Sequence, residues 1–232
     1  MKIVRYAKLS IPFNAALTKR ELLESERDWK PHMNVLYYTG EWDVLPLRSP
    51  GGSHTNPVPD LMGEKGFDDT LYMDQFPSVK QLVYGLPCTV MSVRFLNLKA
   101  GAVIKEHRDI KLALEQGEAR LHFPIITNAG VEFYCESDRI FLNEGDCWYL
   151  NANIPHRVSN NSEFDRIHLV IDCKVNDWLK NAIMAGEVIS TKKEPVDPNM
   201  LSQIKYWRQE NTEASNKQAD LLQAVVDRVM LD

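Results

Sequence analysis

Between residues 88 and 173 the chain falls into short, largely apolar runs of strand length, and over 120–125 polar and apolar positions alternate with a period of two. The runs lie at 89–95, 120–126, 131–134, 147–150 and 166–171. They are rich in β-branched and aromatic residues, and turn residues part them at Ala100-Gly101, Asn128-Ala129-Gly130, Ser137-Asp138 and Asn143-Glu144-Gly145-Asp146. This cadence predicts an antiparallel sandwich or barrel. Upstream, Thr18 and Glu21 have the spacing of a reciprocal capping pair flanked by Leu17 and Leu22, which predicts a helix over about 19–29. From 34 to 60 short apolar runs are interrupted by Gly40, Pro46, the cluster at 49–52, Pro57 and Pro59. That stretch reads as strands joined by long loops. Beyond 174 the period lengthens. Asp197-Pro198 is a cap followed by a first helical residue, and Leu221, Leu222, Val225, Val226, Val229 and Met230 recur at helical spacing. Residues 174–232 therefore read as a helical extension packed on the β core, although the same stripe would also serve a homodimer.

With 232 residues, 44% of them hydrophobic, the chain can bury a sizeable core. A formal charge of −5 and a pI near 5.7 give no general attraction to phosphate or anionic lipid, so neither nucleic acid nor a membrane surface is an expected partner. No stretch has the roughly 20 apolar residues needed to cross a bilayer, and the N-terminal segment lacks the features of a secretion signal. Four cysteines, at 88, 135, 147 and 173, form no CxxC pair. They read as reduced, mostly buried thiols, and the expected location is cytoplasmic.

Six histidines occur, four of them inside the β-rich segment. His107 and Asp109 are two apart, so on an extended strand they project from one face toward one ion. His156, 47 residues beyond Asp109, follows Ile154-Pro155 and supplies a third ligand. Two imidazoles and one carboxylate leave the opposite positions of an ion open for a chelating cosubstrate and dioxygen, the pattern of non-haem Fe(II) oxygenases. A structural zinc site would close its fourth position, usually with cysteine.

Arg166 lies ten residues past His156 on an apolar strand. A guanidinium buried there is costly without an anion, and 2-oxoglutarate offers a carboxylate that the fork binds bidentately. The bland alternative is an ion pair with Asp165 or Glu132. Arg120 and His122 share one face of a further strand, suited to the other carboxylate of 2-oxoglutarate or to that of an amino-acid substrate, or else to a buried polar network. Arg94 suits a substrate carboxylate or a structural ion pair, and Arg48 reads as a loop residue that could close over substrate.

The span 94–173 resembles the aspartyl/asparaginyl β-hydroxylase family, including its bacterial branch of free-proline hydroxylases. The resemblance rests on residues 94–101, His107-Arg108-Asp109, Arg120-Leu121-His122, Glu144-Gly145-Asp146, His156 and Arg166. It implies a mainly β, double-stranded β-helix (jelly-roll, cupin-like) domain over 1–173 with its catalytic core at 88–173 and a flanking N-terminal helix, followed by the helical C-terminal extension. It also implies Fe(II) on His107, Asp109 and His156, and the distal carboxylate of 2-oxoglutarate on Arg166. Arg120 and His122 would then lie at the cosubstrate's other end or at the substrate. The implied activity is O2-dependent hydroxylation of a free amino acid, proline or similar, with release of succinate and CO2. The alternatives are hydroxylation of Asp or Asn in a peptide or of a carrier-bound amino acid, and a non-enzymatic cupin-like metal sensor.

Overall fold

The computed structural model describes residues 2–55, 66–193 and 197–231, with the side chains of Val188 and residues 228–231 also outside the description. The loop expected around Pro57 and Pro59 falls outside it. The chain divides into two compact units, Tyr6–Ile189 and Met1–Arg5 with Ser190–Asp232.

The larger unit begins with the second half of β1 (Lys2–Leu9), then α1 (Ala15–Glu24), β2 (Lys30–Pro31), β3 (Tyr38–Thr39), β4 (Trp42–Pro50), β5 (Phe67–Asp69) and α2 (Pro77–Gly85). From β6 (Val90–Leu98) the chain winds between two antiparallel sheets. The first sheet takes β6, and the second takes β7 (Val103–His107). The first then takes β8 (Glu118–Ile126), the second β9 (Val131–Cys135) and β10 (Asp138–Ile140), the first β11 (Cys147–Leu150), the second β12 (His156–Asn160) and the first β13 (Arg166–Lys174). The first sheet runs in the order β1–β11–β8–β13–β6–β4–β2, with β5 on β4, and the second in the order β10–β9–β12–β7–β3. This alternation is the double-stranded β-helix that the resemblance implies. Helix α3 (Asp177–Met184), capped by Asn176 accepting from the Leu179 amide at 3.0 Å, follows β13.

The period of two sorts the first sheet into faces of opposite chemistry. Phe95, Leu121, Phe123, Leu169 and Ile171 are fully buried on one face, where Phe76 at the start of α2 meets Phe95 (ring centroids 5.0 Å) and Phe13 ahead of α1 meets Phe123 (5.1 Å). Each such side chain contributes about 1.5–3 kcal/mol through burial. The other face, turned toward the second sheet, carries Arg94, Arg120, His122, Arg166, His168 and Asp172. A barrel interior lined by charge is built for a ligand, because charged groups buried without one are costly.

Three local expectations differ from what is found. Helix α1 starts earlier, with Asn14 as its cap accepting from the Leu17 amide at 3.0 Å; Thr18 lies inside the helix, and Glu21 accepts from the Ser78 amide instead. The stretch read as strands with long loops holds β4, nine residues long, in which the amide-less Pro46 is accommodated beside a register shift toward β6. The third difference lies beyond 174, where the chain is not wholly helical.

In the smaller unit β14 (Val188–Lys193) precedes α4 (Pro198–Glu210) and α5 (Glu213–Leu231), and Arg5 Nη1 donates to Ser190 Oγ at 3.1 Å. Asp197 caps α4 and Pro198 is its first residue, as expected. Ile204, Ala219 and Val226 are buried together, with Met200, Trp207 and Leu222 packed against them, so part of the apolar stripe joins α5 to α4. Leu221 and Val225 are exposed, and the Val229 and Met230 side chains lie outside the description. No helix among the described residues is long and apolar enough to cross a membrane. Cys135, Cys147 and Cys173 are buried and Cys88 half-buried, none of them in a disulfide.

Candidate metal centre

His107 ends β7 and His156 begins β12, and the antiparallel register sets them opposite each other with ring centroids 4.2 Å apart. Asp109 lies two residues beyond the end of β7, in the following loop, rather than on the strand as the spacing suggested. The hydrogen bond from its amide to the Ala152 carbonyl, at 2.8 Å, fixes that loop. One donor atom from each of His107, Asp109 and His156 falls within 4.8 Å of the others. His107 Nδ1 lies 2.8 Å from the Lys105 carbonyl and His156 Nδ1 2.9 Å from that of Ile154. Each carbonyl accepts an Nδ1–H, which leaves both Nε2 lone pairs for an ion. Burial, and then His107, pull the His156 pKa down to about 4, so that ring is neutral and able to ligate at pH 7. Burial raises the Asp109 carboxyl, but Arg120 and the two histidines outweigh it and hold it below the usual carboxylate range. The donor set and its orientation fit a divalent first-row metal with open coordination positions.

Arg120 binds two carboxylates at once. Nε and Nη2 fork onto Asp172 Oδ1 and Oδ2 at 2.7 and 3.0 Å, while Nη1 donates to Asp109 Oδ2. Arg94 Nη1 donates to the same Asp172 Oδ2 at 3.0 Å and to Ser92 Oγ. Burial raises the Asp172 carboxyl, yet Arg120 and Arg94 drive it far below the usual range. Arg120 thus sits beside the metal cluster, and Arg94 does form the ion pair given as its alternative.

A line of rings leads inward from the metal cluster. Phe133 stacks parallel to His156 (6.2 Å), His122 meets Phe133 edge-on (6.1 Å), and His168 meets His122 edge-on (5.8 Å). The gap beside them is lined by His122, Phe133, Cys135, Leu150, Asn151, Ala152 and His156. Arg166 lies beyond His168 in this line, six residues and about 20 Å of strand from Asp172 on the same face of β13. It is 2% exposed, and among the described residues no carboxylate reaches it. Asp165 instead accepts from Lys99 (2.9 Å) and Asn97 (3.2 Å), and Glu132 pairs with Arg139 (3.4 Å), so neither ion pair of the alternative reading forms. Arg166 Nη2 donates to His168 Nδ1 at 2.8 Å, whereas Arg166 Nε and His168 Nε2 are buried without partners. Burial with no paired anion pulls the Arg166 pKa down to about 9, still charged at neutral pH.

Arg48 is not in a loop. It lies on β4, where Nη1 pairs with Asp69 at 2.7 Å, so closure over substrate by a free arginine is corrected to a strand-to-strand ion pair between β4 and β5. The sequence reading missed Asp172 and His168. Both share the face of Arg166 at even spacing, and an acid and an imidazole on so apolar a strand were the available signal.

The family model for aspartyl/asparaginyl beta-hydroxylase matches residues 15–175. Over 162 residues the chain is 28% identical to an L-proline cis-4-hydroxylase of Rhizobium meliloti (strain 1021), covering 68% of this chain and 57% of that protein. It is also 28% identical over 142 residues to an L-proline cis-3-hydroxylase of a Streptomyces species, covering 59% and 48%. It therefore spans about half the length of these relatives. Among solved structures, the non-haem alpha-ketoglutarate-dependent epimerase SnoN of nogalamycin biosynthesis aligns with a TM-score of 0.43 and 13% identity over 73% of this chain and 77% of that one, a likeness too loose to argue from.

Proposed function

This chain belongs to the aspartyl/asparaginyl beta-hydroxylase family, and from that premise we propose that it is an Fe(II)/2-oxoglutarate-dependent dioxygenase that hydroxylates a free amino acid, L-proline or a close analogue. His107, Asp109 and His156 hold the metal through two Nε2 atoms and a carboxylate oxygen. Arg166 receives the distal carboxylate of 2-oxoglutarate, and His122 lies along the path between the two. Fe(II) bound there with 2-oxoglutarate and O2 supplies the oxidising power for hydroxylation, with succinate and CO2 as coproducts.

The observation that carries this reading is the unpaired, fully buried Arg166. An isolated guanidinium in an apolar interior is strongly unfavourable, so the site is incomplete without an anion. A metal-binding or sensing protein has no use for such a group that far from its ligands.

At the outer end, Arg94 and Arg120 face Asp172 and Asp109. Once Asp109 serves a metal ion, one guanidinium charge is left over for a substrate carboxylate, which favours Arg94 and Arg120 as its binding pair. The proline hydroxylases among the relatives support an amino acid of that size. The test is succinate release from 2-oxoglutarate with Fe(II) and ascorbate. Release stimulated by L-proline supports the reading, and a rate no higher than that of Asp109→Ala, with or without amino acid, overturns it.

A further inference from the structure

His32, which plays no part in the site as described so far, follows the short edge strand β2. Its amide donates to the Trp42 carbonyl at 2.7 Å, and its ring stacks on the Trp42 indole with centroids 3.5 Å apart and planes 11° from parallel. Tyr38 secures the arrangement, with its hydroxyl donating to the His32 carbonyl at 3.3 Å and its ring edge-on to Trp42 at 5.8 Å. His32 Nδ1 accepts from the Asn34 amide at 3.3 Å. In the neutral ring the proton is therefore on Nε2, which remains as a donor.

The segment that carries His32 is part of the mouth of the metal site. Tyr37 lays its ring 5.6 Å from that of His107, and Lys105 Nζ donates to the Leu36 carbonyl at 3.2 Å, tying the segment to β7 just ahead of the metal cluster. The charged groups that act most on the His32 ring are Arg94, Arg120, Asp109 and His107. Burial first, then the two arginines, pull its pKa down to about 3, so it is uncharged at neutral pH. Beneath it, Trp42 Nε1 is buried without a partner. An imidazole clamped on an indole at the mouth of the metal site, with one free N–H and within the field of Arg94 and Arg120, is preorganised to donate to a carboxylate oxygen.

We propose that His32 is a substrate-binding residue, donating Nε2–H to the carboxylate of the amino acid that Arg94 and Arg120 attract. The inference rests on the reading of the site as an amino-acid hydroxylase. Arg94 and Arg120 bring charge, but both are tethered to Asp172; His32, at the edge of the same sheet, adds a neutral donor, so the carboxylate is held by more than charge alone. That restricts rotation of the substrate above the metal, which matters because hydroxylation at one carbon requires placement to within a fraction of an ångström.

The test uses His32→Phe, which keeps a ring to stack on Trp42 and removes the donor, and His32→Gln, which restores an N–H. L-proline is titrated anaerobically into protein loaded with Fe(II) and 2-oxoglutarate, and the charge-transfer absorption of the chelate is followed. In His32→Phe the L-proline Kd is expected to rise about ten- to hundredfold, with His32→Gln recovering most of the loss. The affinity for 2-oxoglutarate is expected to stay within about twofold in both variants, since His32 does not touch that pocket. His32→Phe that binds L-proline as tightly as the native protein overturns the inference and leaves the hydroxylase reading intact. So does a variant that loses 2-oxoglutarate and L-proline alike, because the role is then structural. A native protein whose chelate does not respond to L-proline at any concentration overturns both.

Discussion

Arg166 Nη2 donates to His168 Nδ1 at 2.8 Å, and that imidazole is the guanidinium's partner where a carboxylate would ordinarily stand. Burial and the neighbouring guanidinium push the His168 pKa far below its usual value, so the ring cannot supply or share positive charge and acts as a neutral acceptor. Among the described residues no anion therefore compensates the charge of Arg166. Replacing Arg166 with Met is expected to leave the ligand-free fold as stable as the native one or more so. The same change is expected to weaken 2-oxoglutarate binding by about a hundredfold or more. Denaturation midpoints and 2-oxoglutarate titrations of the two proteins check this. Unchanged 2-oxoglutarate affinity would remove Arg166 from the cosubstrate site.

Asp109→Ala is expected to abolish iron-dependent turnover and to reduce Fe(II) affinity at least about tenfold, since ligands and their immediate supports have effects of that size or larger. Metal content after equilibrium dialysis and succinate release check the two parts separately. Retained turnover would remove Asp109 from the ligand set.

The pH dependence of stability follows from Asp172. Its folded pKa is held far below the ordinary carboxylate value by Arg120 and Arg94 against the opposing effect of burial, so its contribution is complete above the unfolded value near 4 and fades as pH falls below it. Asp172→Asn leaves two buried guanidinium groups short of a partner and is expected to cost about 3–5 kcal/mol at pH 7. The gap between native and variant in denaturant titrations is expected to narrow steadily below about pH 4. A gap that stays constant down to pH 2 would show that the Asp172 charge is not its source.

Asn160 closes the turn between β12 and β13. Its Nδ2 donates to the carbonyls of Leu98 (3.0 Å), Lys99 (3.1 Å) and Phe164 (2.7 Å), and its Oδ1 accepts from the Ser162 amide and hydroxyl. Asn160→Ala leaves several of these backbone groups unpaired and is expected to cost about 2–4 kcal/mol of stability. Metal affinity is expected to remain close to native, because His156 sits at the far end of β12. Thermal unfolding and metal titration of the variant check both.

The β core was legible because its strands are short runs rich in β-branched and aromatic residues and its turns carry glycines that the geometry demands, such as Gly101 and Gly145 at φ +72° and +87°. His107, Asp109, His156 and Arg166 were legible because each is a chemically costly residue at a meaningful spacing. The regions that misled were those where tertiary contacts override local pattern. Thr18 and Glu21 look like a capping pair, but Ser78 recruits both: its hydroxyl lies 2.6 Å from Thr18 Oγ1, and its amide donates to Glu21. Strand β4 tolerates Pro46 because a register shift absorbs the missing donor, a feature no single-strand pattern reveals. Arg48 is defined by Asp69 across a sheet contact, and Arg120 by Asp172 on a strand 52 residues away. His32 gave no local signal, since its significance comes from Trp42 beneath it and the arginines beside it.

The most direct measurement is mass spectrometry of the amino acid recovered after incubation with the protein, Fe(II), 2-oxoglutarate and isotopically labelled O2. The expected result is one labelled oxygen in L-proline or a close analogue, formed together with an equal amount of succinate and absent from the Asp109→Ala control. Unmodified amino acid across the whole proteinogenic set, with succinate no higher than in that control, would contradict the assignment of this site as an amino-acid hydroxylase.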